Sequence, residues 1–205
     1  MERRKSYLLR VLSLVLALAV VFSFTAPEKV EAKAKKKVVV LYFSATGTTK
    51  GVAKKINKKT KGELIEIKAK KPYTEDDLDY GNSNSRVSKE HRSAKTPGES
   101  KVRPAISNLK AIQKAVKKAD VVYIGYPIWW GEAPHIVYSL VEGVSLKGKT
   151  VVPFCTSVSS GIGSSAKHLK AKAKISSRTK WLKGRNFYDV PSQKTVDKWV
   201  TSLKY

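Results

Sequence analysis

Three short runs, Lys37–Phe43 (KVVVLYF), Asp120–Gly125 (DVVYIG) and Thr150–Cys155 (TVVPFC), are apolar almost throughout and rich in β-branched residues. A strand with one face in water alternates apolar and polar residues; one without alternation is buried on both faces. Helix-like segments separate these runs. Thr48–Lys59 places Val52, Ala53 and Ile56 on one stripe, and Ile106–Lys118 spaces Ile106, Leu109, Ile112 (or Ala111) and Val116 helically. Pro134–Val141 and residues 164–174 read as further helices, the latter Lys/Ala-rich and weakly amphipathic. Glu63–Lys68 alternates as a more exposed strand, and Trp181–Phe187 is a weaker fifth. Ser192–Leu203 closes the chain as a helix with Val196, Trp199, Val200 and Leu203 on one face, which assigns Trp199 to the core. Strands alternating with helices predict an α/β fold with a parallel sheet covered on both faces. With right-handed crossovers, five strands match the doubly wound order 2-1-3-4-5, whose ligands sit at the carboxyl ends of the strands. One long segment, Lys70–Arg103, shows no clear periodicity and is read as an insertion over that edge.

Three loops follow strands 1, 3 and 4 and converge on the same edge. Ser44-Ala45-Thr46-Gly47-Thr48-Thr49 opens a helix with four hydroxyls and a glycine. Hydroxyls, free backbone N–H groups and the helix dipole suit a phosphate, and Gly47 lets the backbone approach it. An ordinary Ser/Thr helix cap would satisfy the same string. The loop lacks the Gly-Lys-Ser/Thr ending of a triphosphatase loop and the Gly-x-Gly-x-x-Gly dinucleotide pattern. Gly125-Tyr-Pro-Ile-Trp-Trp-Gly131 carries adjacent tryptophans that cannot both point into one core. At least one is expected at the sheet edge, where a flat aromatic ligand stacks, although a tryptophan pair packed under a surface loop is the plainer alternative. The third loop, Thr156-Ser157 to Ser165, is polar and contains Gly161 and Gly163.

These loops resemble those of the flavodoxins and flavodoxin-like proteins. The similarity covers Lys36–Tyr205, including Asp76-Asp77-Leu78-Asp79-Tyr80, Ser85-Arg86 and Arg103-Pro104-Ala105-Ile106 of the insertion. The resemblance implies non-covalent FMN, with Ser44, Thr46, Gly47, Thr48 and Thr49 on the phosphate. It places Pro127, Ile128, Trp129, Trp130 and Gly131 beside the isoalloxazine, and Thr156, Ser157 and Gly161 along its other side. Thr48 stands where many relatives have Asn. Electron-carrier flavodoxins are typically acidic and cytosolic, whereas this chain is strongly basic and is expected to be exported. The implied function is electron transfer through the flavin to a redox partner protein or small acceptor. Two alternatives stay open: an FMN-dependent reductase of quinone-type acceptors with a nicotinamide donor, and a cofactor-free basic module that binds acidic wall polymer. Tryptophan stacking disfavours an anionic reduced flavin, while the cationic background favours it.

Residues 1–32 have the layout of a secretory signal peptide: Arg3, Arg4, Lys5 and Arg10, then the apolar run Val11–Phe24. A run of about 14 residues spans roughly 21 Å as a helix, short of a bilayer's roughly 30 Å. Cleavage is expected after Ala32 or Ala34, with an uncleaved membrane anchor as the competing reading; residues 33–36 form a basic linker. Export follows, to the extracellular medium or the cell surface, with no membrane span in the mature protein. The formal net charge is +25, with 41 Lys and Arg against 16 Asp and Glu. Such a field favours acidic partners, whether protein, anionic cell-surface polymer or lipid. Nucleic acid is not expected, because basic and aromatic residues do not interleave and no binding motif occurs. The single cysteine, Cys155, excludes an internal disulfide and reads as a buried hydrophobe. His91, His135 and His168 lack metal-ligand spacing. His135 reads as a surface residue at a helix start, Trp181 as packing, and Arg86 and Arg103 as solvated or salt-bridged, or else as contacts from the insertion.

Overall fold

The computed structural model describes residues 35–205; the expected leader, with its cleavage and anchoring alternatives, lies outside them. The apolar runs form strands β1 (Val38–Tyr42), β3 (Val121–Pro127) and β4 (Thr150–Thr156), and the alternating segment forms β2 (Glu63–Glu66). Helices are α1 (Thr48–Thr60), α2 (Arg86–Arg92), α3 (Leu109–Lys118), α4 (His135–Gly143), α5 (Ser165–Lys172) and α6 (Gln193–Ser202). All pairings within the sheet are parallel, in the order β2-β1-β3-β4-β5 anticipated from the sequence, with β5 at Lys180–Trp181.

Burial explains why the central strands lack alternation. Val39, Leu41, Val122 and Ile124 point into one apolar layer with α3 and α4, whereas Val40, Val121, Tyr123 and Val152 point into the other, with Ile56, Val196 and Trp199. Each such side chain contributes roughly 1.5–3 kcal/mol by leaving water. Gly125 sits mid-strand because the Phe154 ring fills its side-chain space: a Cβ there would lie 2.1 Å from Phe154 Cζ.

The structure departs from expectation in three places. Trp181–Phe187 is not one strand but two pieces, β5 (Lys180–Trp181) and β6 (Arg185–Phe187), which pair with the start and the end of β4. Between them Gly184 passes so close to Ile162 Cδ1 that a Cβ would come within 2.3 Å of it. The Lys70–Arg103 insertion holds a 3-10 turn, Asp76–Leu78, and helix α2, capped by the Ser85 hydroxyl on the Ser88 N–H. Ile106 lies outside α3, bridging to Ala69 beside β2 instead. Among the described residues, no helix is long and apolar enough to cross a membrane. Cys155 is buried, and that burial pushes its thiol up to about 12, which leaves it un-ionised near neutrality.

Candidate functional site

The three loops meet at the carboxyl edge through specific bonds. The hydroxyls of Thr49, in the first turn of α1, and Thr156, at the end of β4, are 2.8 Å apart and buried. The Ile128 N–H donates to the Thr156 carbonyl at 3.0 Å, joining the tryptophan loop to the same point. In the loop after β1, Ser44 Oγ accepts the Gly47 N–H at 3.1 Å. Gly47 is the N-cap of α1 at φ 95°; no side chain caps the helix, and its first turn holds no acid. No side chain caps the first-turn N–H groups of α1, and the one hydroxyl bonded to this backbone, that of Ser44, holds the N–H of Gly47 ahead of the helix. Thr46 is exposed and Thr48 half-buried at this helix start.

The two tryptophans are separated by a tight turn. Trp129 and Glu132 exchange both backbone hydrogen bonds at 2.9 Å, with Trp130 at φ 52° and Gly131 at φ 78° between them. Positive φ at both central residues is the type I′ arrangement, which Asn-Gly adopts easily and a bulky residue does not. Trp129 turns inward and packs edge-on against Phe43 and Tyr73, at centroid distances of 5.5 and 5.2 Å. Trp130 is 44% exposed. One face stacks on His91 of α2 at 4.5 Å and 5°, and Tyr80 lies tilted against it at 5.2 Å. In the third loop, Gly161 and Gly163 have positive φ, and a Cβ on Gly163 would lie 3.7 Å from the Gly131 carbonyl. Ser157 is buried, its hydroxyl 3.1 Å from that of Ser160. Pro127 is paired to Thr156 at the end of the sheet.

The insertion is held over this edge by buried charge. Arg86 Nε donates to Glu90 Oε1 at 2.9 Å, Tyr73 Oη donates to both Glu90 oxygens at 3.0 Å, and the Arg86 guanidinium lies 3.7 Å over the Tyr73 ring. Burial raises the Glu90 pKa, and the Arg86 hydrogen bond and charge pull it back; burial and the Glu90 charge push the Tyr73 phenol up. Arg103 grips Glu142 with two bonds of 2.7 and 2.8 Å, and also donates to the Ser100 carbonyl. Both arginines are thus salt-bridged. His135, expected at the surface, is buried at the start of α4, with Nδ1 3.8 Å from Glu90 Oε2. Burial, then the charges of Arg103 and His91, lower its pKa to about 4, so the ring is neutral near pH 7 and does not ion-pair with Glu90. His168 Nδ1 is 2.8 Å from Glu132 Oε1. Among the described residues no group of three His, Cys, Asp or Glu is placed to hold a metal.

The loops were readable from the sequence, whereas no local pattern assigns Tyr73, Glu90 or His91 to the edge, and Tyr80 belongs to it only through the resemblance. These lie in the insertion, where aromatic and charged residues follow no period. A cavity of about 330 Å³ opens beside the first loop, walled by Phe43, Ser44, Ile67, Pro72 and Tyr73. The edge therefore offers uncapped helix N–H groups, an exposed indole and glycine backbone with open space around it, a set suited to a flat ring carrying an anionic tail.

Similarity to known proteins agrees with this geometry. The flavodoxin family profile matches residues 37–203. A solved structure from Bacteroides eggerthii, described as that of a candidate flavoprotein, is 40% identical; the match covers 83% of this chain and 99% of that one, with a TM-score of 0.68. The fold alone is shared with a Lactobacillus acidophilus flavoprotein solved in complex with FMN, at 22% identity, coverage of 80% and 99%, and a TM-score of 0.53. It is shared likewise with oxidised flavodoxin 2 of Bacillus cereus, at 13% identity, coverage of 81% and 96%, and a TM-score of 0.50. No curated protein matches the chain. Sheet order, loop placement and the extent of the family match together make this chain a member of the flavodoxin family.

Proposed function

We propose that the protein binds FMN non-covalently at the carboxyl edge and acts as an electron carrier on the outer side of the cell membrane. The observation that carries the flavin reading is the start of α1. It is uncapped, free of acid and entered through Gly47, around whose Cβ position nothing lies within 4 Å. An N-terminus left this way attracts a phosphate through its free N–H groups and dipole. Ser44, Thr46 and Thr48 supply hydroxyls around it, and Thr49 fixes the turn to β4 through Thr156. Trp130 offers an exposed ring for stacking, while Gly131 and Gly161 leave space around the backbone. FMN, when bound, supplies reversible one- and two-electron redox chemistry. The chain's part is to bind, orient and shield it. Export is supported by the leader-like residues 1–32.

A purified preparation should be yellow, or become so on reconstitution, with absorption bands near those of free flavin and quenching of FMN fluorescence at a one-to-one ratio. Colourless protein that leaves FMN fluorescence unchanged would dispose of the reading. One observation favours the reductase alternative: the cavity of about 330 Å³ beside the first loop combines the apolar side chains of Phe43, Ile67, Pro72 and Tyr73 with Glu66 and Lys68, a mixed lining of the kind that binds a second, ring-shaped substrate with polar substituents. Steady-state oxidation of NAD(P)H with a quinone by the FMN-loaded protein separates the two, since a pure carrier does not take electrons from a nicotinamide without a separate reductase.

A further inference from the structure

We propose that the amino edge of the sheet, at the opposite end of the strands from the flavin loops, is a docking site for a linear phosphate-bearing polyanion. In a parallel sheet the strands run the same way, so the residues that precede β1 to β5 collect at one edge, whereas β6 starts farther along, opposite Phe154. Lys37 precedes β1, Lys61 leads into β2, Lys118 stands shortly before β3, Lys149 precedes β4 and Lys180 opens β5. The acids in these five junctions are Glu63 and Asp120, and Asp120 Oδ2 accepts the backbone N–H of Lys37 at 2.8 Å. The carboxyl edge is different. Its three loops, residues 44–47, 128–133 and 157–164, contain a single charged residue, Glu132. The three loops are therefore nearly free of charge, and the further cations on that side lie in the insertion, where Arg86 and Arg103 are already paired with Glu90 and Glu142.

The basic edge is also concave. A cleft of about 500 Å³ lies between the ends of α3 and α4 and the start of β4, lined by Lys117, Lys147, Lys149 and Lys174 with Gln113 and Ser145, and by no Asp or Glu. Lys149 is fixed in its wall: Nζ donates to the carbonyls of Ala119 at 2.5 Å and Lys117 at 3.2 Å. That bond neutralises the carbonyl end of α3, which would otherwise repel an anion. Lys117, Lys147 and Lys174 are exposed, and the ion pairs among the described residues involve none of them.

The lining selects the class of ligand. A bilayer surface is flat and is held in part by apolar side chains that enter the headgroup region, and the cleft exposes no large apolar side chain. Single-stranded nucleic acid stacks its bases on aromatic residues, and the cleft has none. A flexible chain of phosphates fits a concave row of ammonium groups and gains its affinity by releasing counterions. Seven residues of β3 separate the two edges, roughly 20 Å at a strand's rise, so docking at one leaves the other open. The inference does not rest on the flavin reading, since the cleft shares no residue with the three loops.

The test measures binding of inorganic polyphosphate to the full chain by titration calorimetry across a salt series. The triple variant Lys117→Gln/Lys147→Gln/Lys174→Gln is compared with Lys54→Gln/Lys58→Gln/Lys194→Gln, which removes the same charge from exposed positions on α1 and α6. The cleft variant is expected to lose about tenfold or more in affinity, with the log–log salt slope falling by about three; the control changes by less than about twofold. Equal losses in both variants would overturn the proposal in favour of net charge alone. Tighter binding to phosphatidylglycerol vesicles than to polyphosphate would overturn it in favour of a membrane.

Discussion

Replacing Thr49 by Val exchanges a hydroxyl for a methyl group of similar shape and leaves the Thr156 hydroxyl, its partner at 2.8 Å, buried without a bond. The same holds in reverse for Thr156→Val; the two residues are 1% and 7% exposed. Orphaning a buried hydroxyl costs about 1–3 kcal/mol, whereas removing both partners together is close to neutral. Each single variant should therefore unfold with a free energy lower by about 2 kcal/mol, a drop in Tm of roughly 4–8 °C for a domain of this size. The double variant should lie within about 1 kcal/mol of the parent, giving a coupling energy of about 3 kcal/mol or more. Urea unfolding of the flavin-free protein reads this directly. Single losses that add in the double variant to within about 0.5 kcal/mol would show that the hydroxyls are not coupled, and the physical link between the first and third loops would fall with them. Repeating the cycle with FMN present adds a second reading. If Thr49 turns its hydroxyl toward the phosphate on loading, the coupling shrinks, and Thr49→Val alone weakens FMN affinity.

Two further outcomes follow from the turn and the buried histidine. Trp130→Asn places a residue suited to positive φ at the first central position of the type I′ turn, so stability should hold or rise by about 0.5–1 kcal/mol even as the contacts to His91 and Tyr80 are lost. FMN affinity should fall about tenfold, roughly 1.4 kcal/mol; fluorescence titration and thermal melts read both, and a large drop in Tm would mean that the indole is structural. His135 has its native pKa lowered to about 4 by burial and the nearby Arg103 and His91, while the unfolded chain protonates it near 6.5. The unfolded state then binds the extra proton, so the stability that depends on neutral His135 is complete above pH about 6.5 and is lost as pH falls toward 4. Denaturant midpoints should be lower at pH 5 than at pH 7, and His135→Gln should flatten the difference; an unchanged difference would place the acid sensitivity elsewhere.

The sheet was legible because β1, β3 and β4 are apolar on both faces, a pattern with few other solutions. The ends of elements were less so: β3 runs on to Pro127 because its pairing with β4 continues as far as Thr156, a tertiary fact. Helix α2 was hidden because its interior contacts are polar, with Glu90 facing Arg86 and Tyr73, so only Val87 marks an apolar position. The broken fifth strand depends on the approach of Ile162 to Gly184, which no local pattern records. At the site, the hydroxyl and glycine loops were readable by composition. The different fates of Trp129 and Trp130 were not, since a Trp-Gly pair is not the usual signature of a type I′ turn. Their partners Tyr73, Tyr80 and His91 reach the edge only through the folding of the insertion.

The split between β5 and β6 has a consequence for how such molecules behave in company. A long, flat outer strand presents a row of unpaired backbone groups on which a second chain can add, the usual beginning of aggregation. Here that border is two residues, a break at Leu182-Lys183-Gly184, and three residues more. The opposite border, β2, has four residues with Glu63 and Glu66 at its ends. Neither side offers a template long enough to extend the sheet into a neighbour, and both carry charge where a neighbour would approach. Copies of this chain can thus be crowded together without the sheets of neighbours joining.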